Sequence, residues 1–503
     1  MRLSLTNFVF VCVAFAASQV LAAGELSLTV VDAETQTPIP CRLHLRNEKD
    51  RAQRAAKMPF WNDHFVIPGT VTLKLAKGTY HFEIERGPEY VVRNGYLIIG
   101  NQSKDNKVVD LPRACNMAEE GWWAGDLHVH RPVNDAELLM RAEDLHVAGL
   151  STWSTKKNEW TGRTLPTQPV KQFDKNRYCD LLGGESADKG STFLYLNVDR
   201  PLLTRSSGDG QAPSSLAMAR EHENAWIDAV RPTAWDLPVW LATGRVDSIE
   251  LANDQFCRGE MIDDANGRPR DKKLMPGPVG IGRWTHEIYY HVLNCGLRVP
   301  PSAGSGSGEA PNPVGYNRVY VWVDKDHFNY ETWWKGFRMG RSVVTNGPLI
   351  RPFANGQLPG HVFTEPEGET FVLDVLLNFT ARDTISYFEL IKDGRLAQTV
   401  RYEEVAKSGR LPPVKFESSG WLLIRAVTDV ENTYRFATSA PWYVEMGDEP
   451  HRVSRASAQF FLDWLNERKE MIDKQKTDSP LAASDWAAAR EFWEKRLAEA
   501  NAD

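Results

Sequence analysis

Cysteine is scarce in this chain. Six occur in 503 residues; Cys12 sits in an apolar leader, and Cys41, Cys115, Cys179, Cys257 and Cys295 are scattered and odd in number. That excludes a disulfide framework, although export would permit one or two bridges. The lack of a CxxC pair excludes a structural zinc knuckle. Basic runs are also missing, and 59 Lys+Arg against 66 Asp+Glu leave a net charge of −7. Such a chain exerts no electrostatic pull on nucleic acid or on an anionic membrane. Beyond the leader nothing approaches the ~18 uninterrupted apolar residues of a membrane span. There is no Gly-x-Ser-x-Gly elbow, phosphate loop or dinucleotide fingerprint. The stretch "GSGSG" (304–308) precedes no helix that could present N–H groups, so it reads as a flexible turn rather than a phosphate cradle.

What is there begins with an export signal. Arg2, the apolar "FVFVCVAFAA" (8–17) and "VLA" before a cut near Ala22 or Ala23 predict a secreted or periplasmic protein, a retained N-terminal anchor being the alternative. With 42% hydrophobic and 25% charged residues the remainder is ordinary globular sequence, long enough for three or four domains. Residues 24–112 carry strand signals, with Val71, Leu73 and Leu75 alternating against Thr70, Thr72 and Lys74, and predict a β-sandwich. From 113 to 352 strands alternate with helical segments, as in a barrel-like parallel sheet. There "DAELLMRAEDLHVAGL" (135–150) predicts one amphipathic helix. Residues 360–446 return to strands, a second sandwich. The tail 452–503 predicts a helical hairpin closed by two stripes, Phe461, Trp464, Leu465 and Ile472, then Trp486, Ala489, Trp493 and Leu497, with Ser479 and Pro480 capping its second helix.

Chemistry concentrates in "GDLHVHR" (125–131). On a strand Asp126, His128 and His130 share one face, and two imidazoles about 7 Å apart can converge on a cation. The spacing alone is weak, since roughly 0.3 His-x-His pairs are expected by chance in a chain of this composition.

The longer context is more specific. "EEGWWAGDLHVHR", "GLSTWST", "LLGGES", "GLRVPPSAGSGSG" and "GRSVVTNGPLI" follow one another in an order that resembles the polymerase-and-histidinol-phosphatase (PHP) metallohydrolases, particularly their exported CehA/McbA-like branch, over residues 115–352. The resemblance implies an α/β fold, a distorted (β/α)7 barrel, here flanked by the two β-sandwiches and the helical hairpin. It also implies a metal-assisted hydrolysis of phosphoesters or other esters, with His128 and His130 as the first ligand pair, Glu185 as the bridging carboxylate and Asp126 orienting a histidine or lining the site. The N-terminal segment resembles the carboxypeptidase-regulatory-like sandwich, which implies a spacer or docking module.

Departures from the PHP pattern are large. Lys156, Lys157 and Asn158 stand where an Asp-His pair belongs, Arg231 replaces the histidine before Pro232, and Gly306 and Gly308 occupy the positions of a late Asp and His. The donors left are enough for one metal, not a cluster: a divalent ion, zinc first, with manganese or iron as alternatives. Lys156 or Lys157, and Arg231, are the candidates to bind an anionic substrate or replace lost metal charge. They could equally clamp Glu185. His222 is a candidate extra ligand, whereas the spacing of His286 and His291 does not suit one helix face.

Two functions follow. One is an exported single-metal hydrolase of a small-molecule or polymer ester, in which the metal activates water. The other is a catalytically inactive PHP-like binding or scaffolding protein, for instance for a surface polysaccharide, with Trp122, Trp123, Trp153 and Trp160 beside the mouth.

Overall fold

The computed structural model describes residues 23–154, 157–188, 191–202, 215–244, 246–263, 266–447, 451–475 and 481–503. The segment read as an export signal, Lys156, Ser479 and Pro480 lie outside the described residues, apart from Ala23 at the expected cut.

The N-terminal module packs two sheets around one core. Thr70–Ala76, Ala23–Asp32 and Lys104–Leu111 form the first; Phe60–Trp61, His64–Ile67, Cys41–Asn47, Gly78–Glu85 and Arg93–Ile99 form the second. Val71, Leu73 and Leu75 are buried while Thr70, Thr72 and Lys74 face solvent, as the alternation predicts. Leu26, Leu28, Leu43, Leu45, Phe65 and Ile84 fill the space between the sheets.

A six-stranded sheet follows, in the order Trp153–Ser154, Gly184–Asp188, Ser191–Leu196, Trp226–Ala229, Ser248–Ala252 and Pro301–Ala303. Trp122–Val129 belongs to a second sheet, parallel to Val147–Leu150 on one side and antiparallel to Arg318–Trp322 on the other. The sheets meet at two seams. At one, Val147–Leu150 leads through Ser151 and Thr152 into Trp153–Ser154; at the other, Val129 bridges Ser307 in parallel. Helices Leu237–Ala242, Gly277–Asn294 and Tyr330–Arg338 pack outside, and burial on both faces leaves Trp122–Val129 without an exposed residue. The fold is mixed α/β with 39% strand and 21% helix, and the antiparallel pairings of Ser191–Leu196 interrupt a regular strand–helix repeat.

Two expectations need correction. The helix expected over 135–150 stops at Ala142, and Val147–Leu150 is a strand. The cause is charge: Glu143 and Asp144 are buried rather than solvated. Glu143 accepts from Arg42 at 2.6 Å, and Asp144, left-handed at φ 51°, accepts from Arg86, Arg113 and Arg177 at 3.1, 2.7 and 2.7 Å. Nor does a sheet boundary fall between 352 and 360. Ser342–Thr345 pairs with both Arg318–Trp322 and Phe436–Ser439, so one twelve-stranded sheet runs from the central module into the C-terminal strands.

The tail forms Arg455–Gln475 and Ala483–Ala498, whose facing stripes bring Phe461 and Trp493 into a 4.6 Å stack. Trp493 donates to the Pro238 carbonyl at 2.9 Å and Arg468 pairs with buried Asp236 at 2.7 Å, fixing the hairpin to the body. Cys41, Cys115, Cys179, Cys257 and Cys295 are free thiols. Among the described residues no helix is long and apolar enough to cross a membrane.

Candidate metal centre

His128, His130 and Glu185 come together. His128 and His130 leave one face of Trp122–Val129 and the residue just past it, and their Nε2 atoms approach to 2.9 Å. Glu185 arrives from the other sheet on Gly184–Asp188, with one oxygen 3.2 Å from His130 Nε2. Gly184 makes this approach possible, because a Cβ there would lie 2.0 Å from the Trp153 ring. One ligand atom from each of the three residues falls within 4.8 Å of the others.

Burial sets the protonation. It pushes the His128 imidazole down to about 4, helped by neighbouring His130 and Arg231, so His128 is neutral with a free lone pair at pH 7. At His130 burial works in the same direction, but the Glu185 carboxylate outweighs it and raises the pKa; Glu185 is lowered in turn, against its own burial. Among the described residues the ion-pair partner of Glu185 is the His130 imidazole at 3.2 Å; Lys156, expected as a candidate clamp, lies outside them.

Asp126 has a different place from the one expected. It does not turn toward an imidazole: its oxygens accept backbone N–H groups of His128 at 3.1 Å, Ser305 at 3.0 Å and Gly315 at 2.7 Å. It ties two loops to the histidine strand. The carboxylate beside the ring is Glu250, on Ser248–Ala252, 3.6 Å from His128 Nδ1. Ligating imidazoles usually present their second nitrogen to such an oxygen. Sequence reasoning missed Glu250 and its neighbour Asp228; the available signal was an acidic residue in the middle of each apolar stretch, "SIELA" and "WIDA". Burial first, then the charges of Asp228, Asp254, Asp126 and Glu185, hold the Glu250 carboxyl well above its ordinary range.

The "GSGSG" stretch is no flexible turn. Ser305 and Ser307 are buried, Gly306 N–H donates to the His128 carbonyl at 2.8 Å, and His130 N–H donates to the Ser307 carbonyl at 2.7 Å. A Cβ on Gly304 would lie 2.1 Å from His128 Cβ, and one on Gly308 2.2 Å from the His130 carbonyl oxygen. Glycine is required because the loop backbone runs against the His128 and Glu250 side chains at Gly304 and against the His130 backbone at Gly308.

The other candidates separate. Arg231 borders the site: it pairs with Asp254 at 2.7 and 3.1 Å, and its charge acts on both His128 and Glu185. Lys157 points into solvent and meets Glu159 at 3.1 Å. His222 faces Asp199 at 3.3 Å, after helix Ser215–Arg220 and apart from the cluster. His286 meets Arg425 at 2.7 Å and His291 meets Ser457 at 2.9 Å. Trp122, Trp123 and Trp153 are buried, and Trp160 is half-buried with its N–H on Thr152 at 2.9 Å, so the first three offer no open platform.

A cavity of about 420 Å³ opens beside His130, lined by Lys57, Phe60, Trp61, Arg131 and Gly308 among others. Its far wall comes from the N-terminal sandwich, which thus contributes surface at the site. The donor set, two imidazole nitrogens and a carboxylate oxygen, fits one borderline divalent cation, and the buried unpaired His128 Nδ1 facing Glu250 fits the outer partner such a ligand takes.

No family model matches the chain, and no curated protein matches it. Solved structures with some likeness include the Bacillus anthracis TIE protein, 20% identical over 23% of this chain and 20% of its own length, at a TM-score of 0.15. The Clostridium thermocellum CbhA fibronectin(III)-like modules are another, 13% identical over 27% of this chain and 65% of theirs, also at 0.15. Neither likeness bears on fold or site at that score.

Proposed function

We propose that the chain is an exported hydrolase with a PHP-like barrel, acting on an ester or phosphoester with one divalent metal, zinc first and manganese or iron otherwise. The observation that carries this reading is the convergence of His128, His130 and Glu185, from two sheets, with His130 lining a cavity beside them. The two seams between those sheets support the barrel reading. A cation held by the three residues would supply the Lewis acidity that makes water a nucleophile at neutral pH.

The chain's own groups supply the rest. His128 is neutral and offers its lone pair without first losing a proton. Asp126 fixes the strand that carries both imidazoles, and Glu250 stands at the nitrogen that must keep its proton. Arg231, held by Asp254, places a fixed positive charge near the ligands, suited to negative charge developing on a substrate oxygen. Lys157 has no such place. Phe60 and Trp61 give the cavity an apolar wall, with Lys57 and Arg131 as cations beside it. Trp122, Trp123 and Trp153 are buried and favour neither this reading nor the polysaccharide-scaffold one.

The test is metal content and turnover together. Mature protein loaded with zinc, manganese or iron is assayed on p-nitrophenyl acetate, p-nitrophenyl phosphate and bis(p-nitrophenyl) phosphate, beside His130→Gln and Glu185→Gln. Hydrolysis of at least one ester, lost with the metal in both variants, is expected. A metal-replete wild type whose metal content is unchanged by either substitution overturns the reading.

A further inference from the structure

We propose that the N-terminal sandwich carries a second divalent-cation site, formed by His44, Asp63 and His64, with zinc the ion its donors favour. The backbone builds it. Cys41–Asn47 and His64–Ile67 are antiparallel neighbours with Leu43 opposite Phe65, which sets His44 beside His64 with ring centroids 5.2 Å apart. Phe60–Trp61 and His64–Ile67 form a tight hairpin, Asn62 taking the left-handed turn position at φ 47°, and this turn delivers Asp63 between the rings. One Asp63 oxygen lies 3.2 Å from His44 Nδ1, and the other 3.2 Å from His64 Nδ1.

Hydrogen bonding alone leaves this arrangement frustrated. His44 stands between two carboxylates, with Nδ1 at Asp63 and Nε2 3.8 Å from Glu85 without a hydrogen-bond partner among the described residues. A neutral imidazole has one N–H and can serve one of them, leaving a lone pair against the other. Burial keeps both rings toward the neutral form, His64 down at about 4. A cation beside Asp63 resolves the conflict: the Nδ1 lone pairs and the carboxylate turn toward it, and His44 Nε2 keeps the proton and faces Glu85. This is the same pairing of an imidazole with an outer carboxylate that His128 makes with Glu250.

Two imidazoles and one carboxylate suit zinc with an open position. The opening exists, since His44 and Asp63 line a cavity of about 520 Å³ together with His81, Glu83 and Asn94. Arg46 contacts Asp63 at 3.0 Å from a partly exposed position, and its long side chain can leave for solvent when a cation arrives. The alternative grouping of His44 with Glu83 and Glu85 is already neutralised, because Arg42, Arg258 and Arg382 reach Glu85 at 2.9, 2.8 and 2.7 Å. An ion at Asp63 would clamp the hairpin that bears Trp61, the wall of the cavity beside His130.

The experiment counts zinc. Full-length mature protein is stripped with chelator, equilibrated with zinc and analysed by elemental mass spectrometry, as wild type, as the central variant His130→Gln/Glu185→Gln, and with His64→Gln or Asp63→Asn added to each. Two zinc ions per chain are expected in wild type, one in the central variant, one in His64→Gln or Asp63→Asn alone, and none in the combinations. Asp63 is partly exposed, so Asp63→Asn guards against a folding defect. In the central variant, zinc should raise the melting temperature, and Asp63→Asn should abolish that rise. A count unchanged by either N-terminal substitution overturns this proposal while leaving the central site standing. A single ion lost only with Asp63→Asn or His64→Gln upholds it and removes the central one.

Discussion

The carboxylate of Glu250 lies 3.6 Å from Nδ1 of His128, the ring nitrogen that does not face His130. Both groups are buried, and neither Glu250 oxygen has a hydrogen-bond partner among the described residues. A lone buried carboxylate is costly and takes a proton instead. Ionisation becomes favourable when His128 turns its Nε2 lone pair to a cation and keeps its proton on Nδ1. Metal binding and the charge state of Glu250 are therefore linked.

Glu250→Gln should weaken metal binding roughly 10–100-fold, the usual scale for losing an outer carboxylate. The apo protein should be as stable as wild type, because the amide copies the neutral acid in shape. Chelator competition measures the first effect and urea unfolding the second. Unchanged affinity would return Glu250 to a packing role.

Asp126→Ala should act on folding. Three buried N–H groups lose their acceptor, and with charged hydrogen bonds contributing about 1.5–3 kcal/mol each and non-additively, a loss of about 4 kcal/mol is expected. Asp126→Asn should retain part of it. If the alanine variant melts like wild type but fails to bind metal, Asp126 acts on the imidazole and not on the loops.

The parts of the site that could be read in the sequence were those close together in it. His128 and His130 share a strand face by spacing, whereas Glu185, far along the chain, was pointed to only by the resemblance of "LLGGES" to the PHP pattern. Alternation revealed the N-terminal sheet, and the Phe461 and Trp493 stripes revealed the docked hairpin. Glu250 and Asp228 stayed hidden because a single acid within "SIELA" or "WIDA" is only a faint local signal, and the groups that give it meaning come from other strands. Glu143 and Asp144 misled for the same reason, since Arg42 and Arg86 lie far away in sequence. In "GSGSG" the composition suggested flexibility, whereas contact with the histidine strand makes the glycines a steric requirement.

Gly304→Ala tests that requirement. The new methyl would meet His128 Cβ at 2.1 Å and a Glu250 oxygen at 2.4 Å. Cβ cannot rotate away, so the strand must shift. A cost of about 1–3 kcal/mol and a clear drop in metal affinity are expected. Gly259→Ala is the control, having open space at its Cβ. Equal behaviour of the two variants in chelator competition would show that the close approach does not position His128.

Asp228 makes the stability of the metal-free protein depend on pH. Burial raises its carboxyl to about 7, although the Ser302 hydroxyl donates to it at 2.7 Å. The folded value lies above the unfolded value of about 3.9, so between the two the native state holds more protons. Stability is therefore greatest below about pH 4 as far as this group is concerned, falls as pH rises toward about 7, and levels off beyond. At about 1.4 kcal/mol per unit over about three units, the fall is on the order of 4 kcal/mol. Asp228→Asn should remove it, and urea midpoints measured from pH 4.5 to 8 in chelator should show a flatter curve. Glu250, also raised, leaves some slope, which Asp228→Asn/Glu250→Gln should reduce further. A single variant with the wild-type slope would mean that Asp228 is ionised in the folded protein throughout this range.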